Sequence, residues 1–422
     1  MRTLIFITSR FPYDPGEAFI ESEFPYLYSA FSRTIIITLN KSGKIIKPIP
    51  DDVKVYRYNL SMPVNDYLLI PLMILRNFTQ VRNLISEELH FRKDSGRKTT
   101  RKQKLFLLKS IIKSLRLRDF IDNIVGIEKP EGELVFYSYW MNFAAHAICM
   151  LQNSKGLKIS RAHGGDLYEE AAPLKYQPLE KFSFRNLDAI FFISEFGKEY
   201  FERRYSLVNE KNIVSRLGIT NNYPFNPEVP EKDYFRIITC ANLNENKRIH
   251  LAISALAKVK SPGKIIWEHF GEGVLEQTVK DLAENTFRNN EKIEYKFHGR
   301  VLNALIMKFY SENPVDMLLN LSISEGIPVN IMEAQSFGIP VIATDAGGTK
   351  EIVNNETGIL LPVTFDPDEL AGKIEYLLNL DRNQKIGMKN AVYNNWKTNF
   401  NAAYNYGKFI GQLNEILMST KK

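Results

Sequence analysis

The clearest alternation of apolar and polar positions along the chain lies in residues 315–348. Apolar runs at 315–321 and 341–344 have the length of buried strands and are bounded by turn residues. Between them, four apolar residues recur at the spacing of one helix face: Val329, Ile331, Met332 and Ala334. The segment therefore predicts a strand, a helix and a second strand in one β-α-β unit.

The connection before this helix is suited to binding phosphate or sugar oxygens. Glu325 and Gly326 end the first turn, and Pro328 suits the first helical position, where its missing N–H is tolerated. Unpaired N–H groups at a helix start attract such oxygens, and glycine lets the backbone come close to them. We therefore predict a ligand seat along the backbone of Gly326, Ile327, Pro328 and Val329.

Two carboxylates flank this seat, Glu325 in the connection and Glu333 eight positions later on the helix. A helix rises about 1.5 Å per residue, so Glu333 lies roughly 7.5 Å along the axis from Pro328, and the two carboxylates cannot share a proton. Their separation fits the recognition of hydroxyl groups at two points of one extended ligand. The alternative is that Glu325 is an ordinary loop charge and Glu333 an exposed helix charge.

The whole segment resembles the donor-site signature of the retaining family-4 glycosyltransferases. The resemblance rests on Ser-Glu-Gly-Ile-Pro from position 324 and on Glu-Ala-Gln-Ser-Phe-Gly-Ile-Pro-Val-Ile-Ala-Thr from position 333. It implies an α/β chain with the GT-B fold, in which two Rossmann-like domains face a cleft. It also implies that Glu325 contacts hydroxyls of the donor sugar, as a catalytic residue, and that Glu333 contacts the ribose of the nucleotide.

A length of 422 residues and a hydrophobic content of 44% are sufficient for two domain cores. We place an acceptor-side Rossmann-like domain at 1–220, completed by a C-terminal helix at about 400–422, and a nucleotide-sugar-binding domain at 221–399. Residues 215–219 resemble the strand and turn at which family-4 enzymes pass to their second domain. A proline-containing linker follows at 221–233.

The cysteines and the apolar runs favour a cytoplasmic protein. Cys149 and Cys240 are far apart in the chain and form no disulfide framework or metal-ligand pattern, so we expect a reducing compartment and assign no metal. No apolar run approaches the roughly 20 residues that span a bilayer. Residues 1–8 have the pattern of a first strand, and their apolar run is too short for a signal peptide.

The net charge of +7 is concentrated in one segment. Residues 92–118 contain eleven Lys or Arg and one acid, a local charge of +10, so the remainder carries −3. This distribution does not indicate a nucleic-acid-binding surface, and we expect no nucleic acid partner. In the predicted helix at 102–118, Lys109, Lys113 and Arg116 lie on a different face from the apolar residues. Such a helix either lies on an anionic membrane surface, which would make the protein peripheral, or packs its apolar face on its own domain.

A Pro/Gly-rich loop at 9–24 follows the first predicted strand and leads into a helix. Gly16 lies where this loop turns towards the carboxyl end of the strand, the ligand side of open α/β sheets. A simple turn glycine is an equally good interpretation. The position resembles the glycine-containing first loop of family-4 enzymes, which implies that Gly16 binds the donor, although Glu17 stands where those enzymes often have a second glycine.

Gly164 and Gly165 follow another predicted strand and would let the chain turn there. The turn would present His163 and Asp166 at the carboxyl end of that strand. A single histidine more often has a structural role. The block nevertheless resembles the His-Gly-x-Asp segment of family-4 enzymes, whose histidine lies beside the reacting sugar, and this implies a catalytic role for His163.

A leaving diphosphate needs positive charge near its oxygens as the glycosidic bond breaks, and Lys247 is the candidate for this catalytic role. The alternative is an exposed lysine at a helix start. Family-4 enzymes typically have Arg-x4-Lys here, with both side chains on the diphosphate, whereas this chain has Asn242 in place of the arginine. An amide supplies neither the charge nor the fork of arginine. Either Arg248, Arg300 or Lys350 compensates for Asn242 at the donor, or the protein is slow, binds an unusual donor or has lost catalysis.

These features together predict a retaining glycosyltransferase. By resemblance it transfers a sugar from a nucleotide-diphospho-sugar, with a UDP-sugar favoured, to a saccharide or lipid-linked saccharide acceptor in cell-surface polysaccharide assembly. The nucleotide sugar is a substrate, and no cofactor is expected. Two alternatives stay open: a sugar-nucleotide epimerase or hydrolase of the same fold, and a non-catalytic nucleotide-sugar-binding subunit, which is compatible with Asn242.

Overall fold

The computed structural model describes residues 1–13, 17–40, 43, 45, 48–60 and 70–419. The chain forms two compact units, one of Met1–Arg216 with the chain from Lys408 onward, and one of Leu217–Gly407. The sequence predicts boundaries at 220 and 399, whereas the two units divide at Arg216 and at Gly407. The second division lies inside the last helix, Ala402–Ser419.

The first unit is built on a parallel sheet. Its strands are β1 Arg2–Thr8, β2 Arg33–Thr38, β3 Lys54–Arg57, β4 Glu133–Ser138, β5 Leu157–Ala162, β6 Ala189–Phe192 and β7 Asn212–Val214. They follow the order β3-β2-β1-β4-β5-β6-β7, and all neighbouring strands are parallel. Because such a sheet must be covered on both faces, its strands are mostly apolar.

Two apolar clusters lie on opposite faces of this sheet. Leu4 and Phe6 of β1 belong to one cluster, whereas Ile5 and Ile7 belong to the other, since successive strand residues point to opposite sides. The covering helices are α1 Ala18–Ala30, α2 Ile70–Arg76, α3 Phe78–Asp94, α4 Arg101–Glu128, α5 Phe143–Cys149, α6 Gly164–Leu167, α7 Glu180–Asn186 and α8 Glu195–Tyr205.

The basic segment 92–118 forms the end of α3 and much of α4. Leu107, Ile111 and Leu115 on the apolar face of α4 are no more than 1% exposed. This face packs on its own domain, which is the second alternative given by the sequence, and only the basic face of α4 remains for contact with a membrane surface. Among the described residues, none of the helices combines the length and apolar character needed to span a bilayer.

The second unit has a second parallel sheet. Its strands are β8 Tyr234–Cys240, β9 Lys264–Phe270, β10 Ile293–Phe297, β11 Met317–Asn320, β12 Val341–Thr344 and β13 Gly358–Leu361. They follow the order β10-β9-β8-β11-β12-β13. The helices are α9 Ile249–Leu256, α10 Glu276–Phe287, α11 Asn303–Glu312, α12 Val329–Gln335, α13 Pro367–Leu378, α14 Arg382–Asn399 and α15 Ala402–Ser419. The predicted β-α-β unit at 315–348 is thus β11, α12 and β12.

The strand order reverses at one place in each sheet, between β1 and β4 and between β8 and β11. Open α/β sheets bind ligands at the carboxyl ends of the strands beside such a reversal. The connections after these four strands begin at residues 9, 139, 241 and 321. They include most of the residues that the sequence singled out.

Candidate functional site

The connection 321–328, between β11 and α12, is held by two neighbouring loops. The Asn246 amide donates to the Ser324 carbonyl at 3.0 Å, and the Ser324 N–H donates back to the Asn246 side-chain oxygen at 3.0 Å. On the other side, Gly347 has φ +58° and approaches the Glu325 carbonyl so closely that a side chain would collide with it. These contacts determine the position of the Glu325 backbone.

Lys247 and Glu325 form an ion pair at this edge of the second sheet. Lys247 Nζ lies 2.5 Å from Glu325 Oε1, and the side chains are 23% and 12% exposed. The structure thus brings together two predicted catalytic residues from the connections after β8 and β11. Sequence reasoning missed Asn246, which holds the Glu325 connection, although its place beside Lys247 was an available signal.

The predicted ligand seat at 326–329 leads into α12, with one difference from the prediction. The helix starts at Val329, and Pro328 precedes it with φ −76° and ψ 112°, so the prediction of Pro328 as the first helical residue is wrong by one position. Gly348 donates its N–H to the Gly326 carbonyl at 2.9 Å, which joins the seat to the loop after β12. Ile327 is buried. Donor binding by this backbone stays a prediction.

Glu333 lies on the buried side of α12 and is 6% exposed. The Asn303 amide, at the start of α11, donates to Glu333 Oε1 at 2.6 Å. A buried carboxylate must be hydrogen-bonded, and this contact provides one bond. The interpretation of Glu333 as an exposed helix charge is therefore wrong, and Asn303 is a second residue near the predicted site that the sequence did not reveal.

The residues that could substitute for the missing arginine at position 242 lie in different environments. Asn242 itself is exposed in the turn after β8. The Arg248 guanidinium donates to three backbone carbonyls, at 2.7, 2.6 and 3.4 Å, so its donors serve the loops of its own unit. Arg300 is half exposed, with Nη1 3.8 Å from Glu272 Oε1, and Lys350 is exposed. Their contact with a donor stays a prediction.

His163 follows β5 and directly precedes α6. Asp166 Oδ1 accepts the His163 N–H at 2.6 Å, and Asp166 Oδ2 accepts the Met141 N–H at 2.6 Å. The His163 ring packs against Trp140 and Tyr139, with centroids 4.5 Å and 4.9 Å away. Asp166 therefore ties the turn at His163 to the connection after β4.

Glu17 is 4% exposed and directs its carboxylate into the first unit. Its oxygens accept the backbone N–H groups of Ser9, Arg10 and Phe11 at 3.1, 2.6 and 2.7 Å, and the Trp140 indole N–H at 2.6 Å. Glu17, which stands at the position predicted for a second donor-loop glycine, thus organises its own loop. Gly16, the predicted donor-binding residue beside it, lies outside the described residues.

A buried ion pair supports this edge of the first sheet, and sequence reasoning missed it. Arg161 Nη2 lies 3.1 Å from Glu23 Oε1, and both side chains are 0% exposed. Tyr137 donates to the same Glu23 oxygen at 2.9 Å, and Arg161 also donates to the Ser215 carbonyl at 2.8 Å. The network connects α1, β4 and β5 with the end of the first unit.

A cavity of about 620 Å³ in the second unit contains none of the predicted donor residues. Linker residues and residues next to the starts of β11 and β12, among them Asp316 and Pro340, line it. It therefore belongs to the amino end of the sheet, away from the connections described above. In the ranges that the structure describes, no group of three or more His, Cys, Asp or Glu side chains could hold a metal ion.

Comparisons with known proteins identify the family and the fold. Residues 222–394 match the family described as glycosyl transferases group 1. The chain is 28% identical over 234 residues to a protein of Escherichia coli K12 assigned to colanic acid biosynthesis as the glycosyltransferase WcaL, covering 53% of this chain and 55% of that one. It is 30% identical over 162 residues to the amylovoran biosynthesis glycosyltransferase AmsK of Erwinia amylovora, covering 36% and 39%. The matches span about half the length of such relatives or less.

Solved structures are similar over nearly the whole chain. A glycosyltransferase from Rickettsia africae superimposes with a TM-score of 0.67 at 16% identity, covering 99% of this chain and 98% of that one. Anabaena HepE in complex with UDP and glucose superimposes with a TM-score of 0.61 at 14% identity, covering 98% and 99%. Residues 222–394 therefore form a domain of the glycosyl transferases group 1 family, in a chain that has the GT-B fold.

Proposed function

We propose that the protein is a retaining glycosyltransferase that transfers a sugar from a nucleoside-diphospho-sugar to a saccharide acceptor. The Lys247–Glu325 ion pair is the observation that carries the proposal. In such a donor the sugar is bonded directly to phosphate, so the groups that recognise the two must lie side by side. An ammonium 2.5 Å from a carboxylate, on connections beside the reversal of strand order, meets this requirement.

The side chains of the second unit have separate tasks in this proposal. The Lys247 ammonium has three N–H donors and Glu325 accepts one, so the others can hold oxygens of the diphosphate. Its charge then stabilises the negative charge that grows on the leaving phosphate. Glu325 accepts hydrogen bonds from hydroxyls of the donor sugar, and Glu333 accepts them from the ribose.

In the single-step mechanism that we propose for retention, the incoming hydroxyl attacks C1 from the face that the diphosphate leaves. The leaving phosphate oxygen takes the proton of this hydroxyl, and the new C1–O bond forms as the old one breaks. The main task of the protein is then to orient the two substrates and to stabilise charge. We place His163, held by Asp166, beside the reacting sugar.

Our proposed donor is a UDP-sugar. It is supported by the similarity in fold to HepE, whose structure contains UDP and glucose. Our proposed acceptor is a saccharide, lipid-linked, in the assembly of a cell-surface polysaccharide. It is supported by the relatives named for colanic acid and amylovoran biosynthesis.

We also propose that the protein acts at the cytoplasmic face of the membrane, held there by the basic face of α4. The supporting observation is a set of exposed cations on one side of this helix: Arg101, Lys102, Lys109 and Lys113. Leu105 lies among them and is 60% exposed. Lysines near an anionic lipid surface attract it without deep insertion, so the burial of the apolar face of α4 is compatible with this binding.

A panel of nucleotide sugars tests the proposal against its two alternatives. The protein is incubated with each nucleotide sugar, with and without saccharide and lipid-linked saccharide acceptors, and free nucleotide and new saccharide are measured. A transferase makes new saccharide only with an acceptor. An epimerase or hydrolase changes the sugar nucleotide without one, and a binding subunit releases nothing. Loss of transfer in Lys247→Ala, with transfer in the wild type, would assign the activity to this site.

A further inference from the structure

We propose that Trp140 and Phe19 form a platform on which a pyranose ring of the acceptor lies beside His163, and that Glu17 is a positioning residue for Trp140. The inference rests on the proposed function and names the acceptor subsite within it. It is drawn entirely from residues of the first unit.

The platform is assembled beside three adjacent strands, β1, β4 and β5. Trp140 and His163 follow the carboxyl ends of β4 and β5 within two residues, whereas Phe19 lies in the first turn of α1, the helix that follows β1. The Trp140 and Phe19 rings lie 4.5 Å and 5.7 Å from the His163 ring, and 6.0 Å from each other at 70°. Two aromatic side chains thus flank one imidazole at the ligand side of the sheet.

Trp140 and Phe19 are more exposed than their aromatic neighbour Tyr139. Tyr139 is completely buried and belongs to the core, whereas Trp140 and Phe19 are only half buried. The polar N–H of Trp140 is directed inward, to Glu17, so the remaining surface of the indole is apolar ring. Apolar ring surface beside a few fixed polar groups is typical of sites for small ligands, and it suits the C–H face of a sugar.

His163 supplies a second and independent observation. Its side chain is 7% exposed, and neither ring nitrogen has a hydrogen-bond partner among the described residues. Asp166 Oδ2 lies 3.7 Å from Nδ1, beyond hydrogen-bond distance. Buried polar groups are nearly always paired, because an unpaired one is costly. A sugar hydroxyl, which both donates and accepts, can satisfy an imidazole nitrogen in either tautomer.

Glu17 determines where the indole lies. Its two oxygens accept four hydrogen bonds, three from backbone N–H groups and one from Trp140. A carboxylate has about four lone-pair sites, so none is left for a ligand hydroxyl. Glu17 therefore acts through Trp140 and the loop, without touching the sugar itself.

Kinetics with a transferable acceptor test the platform. We expect Trp140→Ala to raise the acceptor KM about tenfold or more, whereas the affinity for UDP, measured by calorimetry, stays within about twofold. Trp140→Phe keeps an aromatic ring and should recover most of the acceptor affinity. Tyr404→Ala, which removes an aromatic side chain that is 60% exposed in the second unit, is the matched control. An unchanged acceptor KM in Trp140→Ala would overturn the proposal, as would a parallel loss of UDP affinity.

Direct binding separates failure of the platform from failure of the proposed function. Methyl glycosides of glucose, galactose and N-acetylglucosamine are titrated while tryptophan fluorescence is recorded, with Trp140→Phe as the blank for the other two tryptophans. A saturable change present in the wild type and absent in the blank supports the platform even in a protein without transfer activity. No difference between the two proteins for any of these sugars overturns it.

Glu17→Gln tests the positioning role. An amide would direct N–H groups at some of the four donors that Glu17 now accepts, so Trp140 should lose its fixed orientation. We expect a shifted tryptophan emission and a raised acceptor KM with kcat nearly unchanged. A lower kcat at an unchanged acceptor KM would show that Glu17 does not act through the platform.

Discussion

Lys247 and Glu325 are 78 positions apart in the chain, and their side chains meet at 2.5 Å. The contact joins a cation predicted to hold phosphate to a carboxylate predicted to hold sugar. Separate N–H groups of Lys247 can bind Glu325 and a diphosphate at once, but the two partners carry charge of the same sign and therefore compete electrostatically for the ammonium. A substitution of either residue should therefore change both the affinity for the donor and the rate of transfer.

The first prediction follows from this competition. Glu325→Gln should bind UDP more tightly than the wild type, because the ammonium loses its anionic partner, while turnover at saturating donor falls. Lys247→Ala should weaken UDP binding and lower turnover by about 10²- to 10³-fold, or roughly 3–4 kcal/mol. Calorimetry with UDP and steady-state kinetics measure both. Weaker UDP binding by Glu325→Gln would contradict the competition, and unchanged turnover in Lys247→Ala would contradict the diphosphate role.

A second prediction concerns the ribose. Glu333→Ala should weaken donor binding roughly 10- to 100-fold, the range for a lost hydrogen bond to a charged group. Asn303→Ala should have a smaller effect, since it removes only the amide that holds Glu333 Oε1. Titration of both variants with UDP and with 2′-deoxy-UDP measures the effect. If Glu333→Ala discriminated between the two nucleotides as strongly as the wild type, the ribose contact would be wrong.

The third prediction concerns a variant with arginine in place of Asn242, which adds the positive charge that this turn lacks. Asn242→Arg should leave turnover unchanged or raise it, because the new guanidinium can reach the diphosphate from the exposed turn after β8. Asn242→Gln, which adds length without charge, is the control. Steady-state kinetics with the best donor from the panel measure the turnover of both variants. A fall in turnover specific to the arginine variant would show that this turn does not face the diphosphate.

The fourth prediction tests the basic face of α4. Reversing Arg101, Lys102, Lys109 and Lys113 to Glu should abolish cosedimentation with phosphatidylglycerol-containing vesicles at low salt, since each cation contributes about 1 kcal/mol. High salt should release the wild type in the same way. Donor affinity should not change.

The control for this experiment reverses four exposed lysines of other helices and loops: Lys260, Lys373, Lys397 and Lys408. It changes the net charge by the same amount, so it should retain vesicle binding if the face of α4 is the contact. Equal loss of binding in the two variants would mean that net charge alone is responsible. Equal retention would mean that α4 is simply a solvated helix.

The fifth prediction concerns acid stability. His146 on α5 is 1% exposed, and burial lowers the pKa of its imidazole to about 3. In the unfolded chain this imidazole takes up a proton below pH 6.5, whereas in the folded chain it does so only near pH 3. The free energy of unfolding therefore decreases as the pH falls below 6.5. Between pH 7 and pH 5 this loss is about 2 kcal/mol.

Denaturant unfolding at the two pH values measures this loss. From pH 7 to pH 5, the free energy of unfolding of His146→Leu should decrease by about 2 kcal/mol less than that of the wild type. His90→Leu, at an exposed position, should behave like the wild type. An identical pH dependence in His146→Leu and the wild type would contradict a neutral, buried His146.

Local patterns in the sequence were sufficient for several features. The apolar runs at 315–321 and 341–344, with a helical spacing between them, predicted β11, α12 and β12, because strand and helix periods are properties of consecutive residues. The turn residues at 325–328 located the connection that holds Glu325. Pro328 was misplaced by one position, since a helix start depends on backbone angles that the residue type only favours.

Other features depended on contacts between distant parts of the chain. The periodicity of α4 showed an apolar face but could not show that Leu107, Ile111 and Leu115 would be covered by the same domain. The residue type of Glu17 suggested a disturbed donor loop, whereas its actual partners include Trp140, 123 positions away. In both cases the side chain has several physically acceptable partners, and the sequence does not say which one is near.

The sequence by itself therefore determined the α/β class, the strand pattern around the donor signature and the identity of the residues worth testing. The tertiary structure alone decided that Lys247 pairs with Glu325, that Arg248 donates to backbone carbonyls, and that Phe19 and Trp140 flank His163. The physical reason is the order of the strands. That order sets which connections are neighbours at the carboxyl edge of each sheet, and it is established only when the non-consecutive pairs β1·β4 and β8·β11 form.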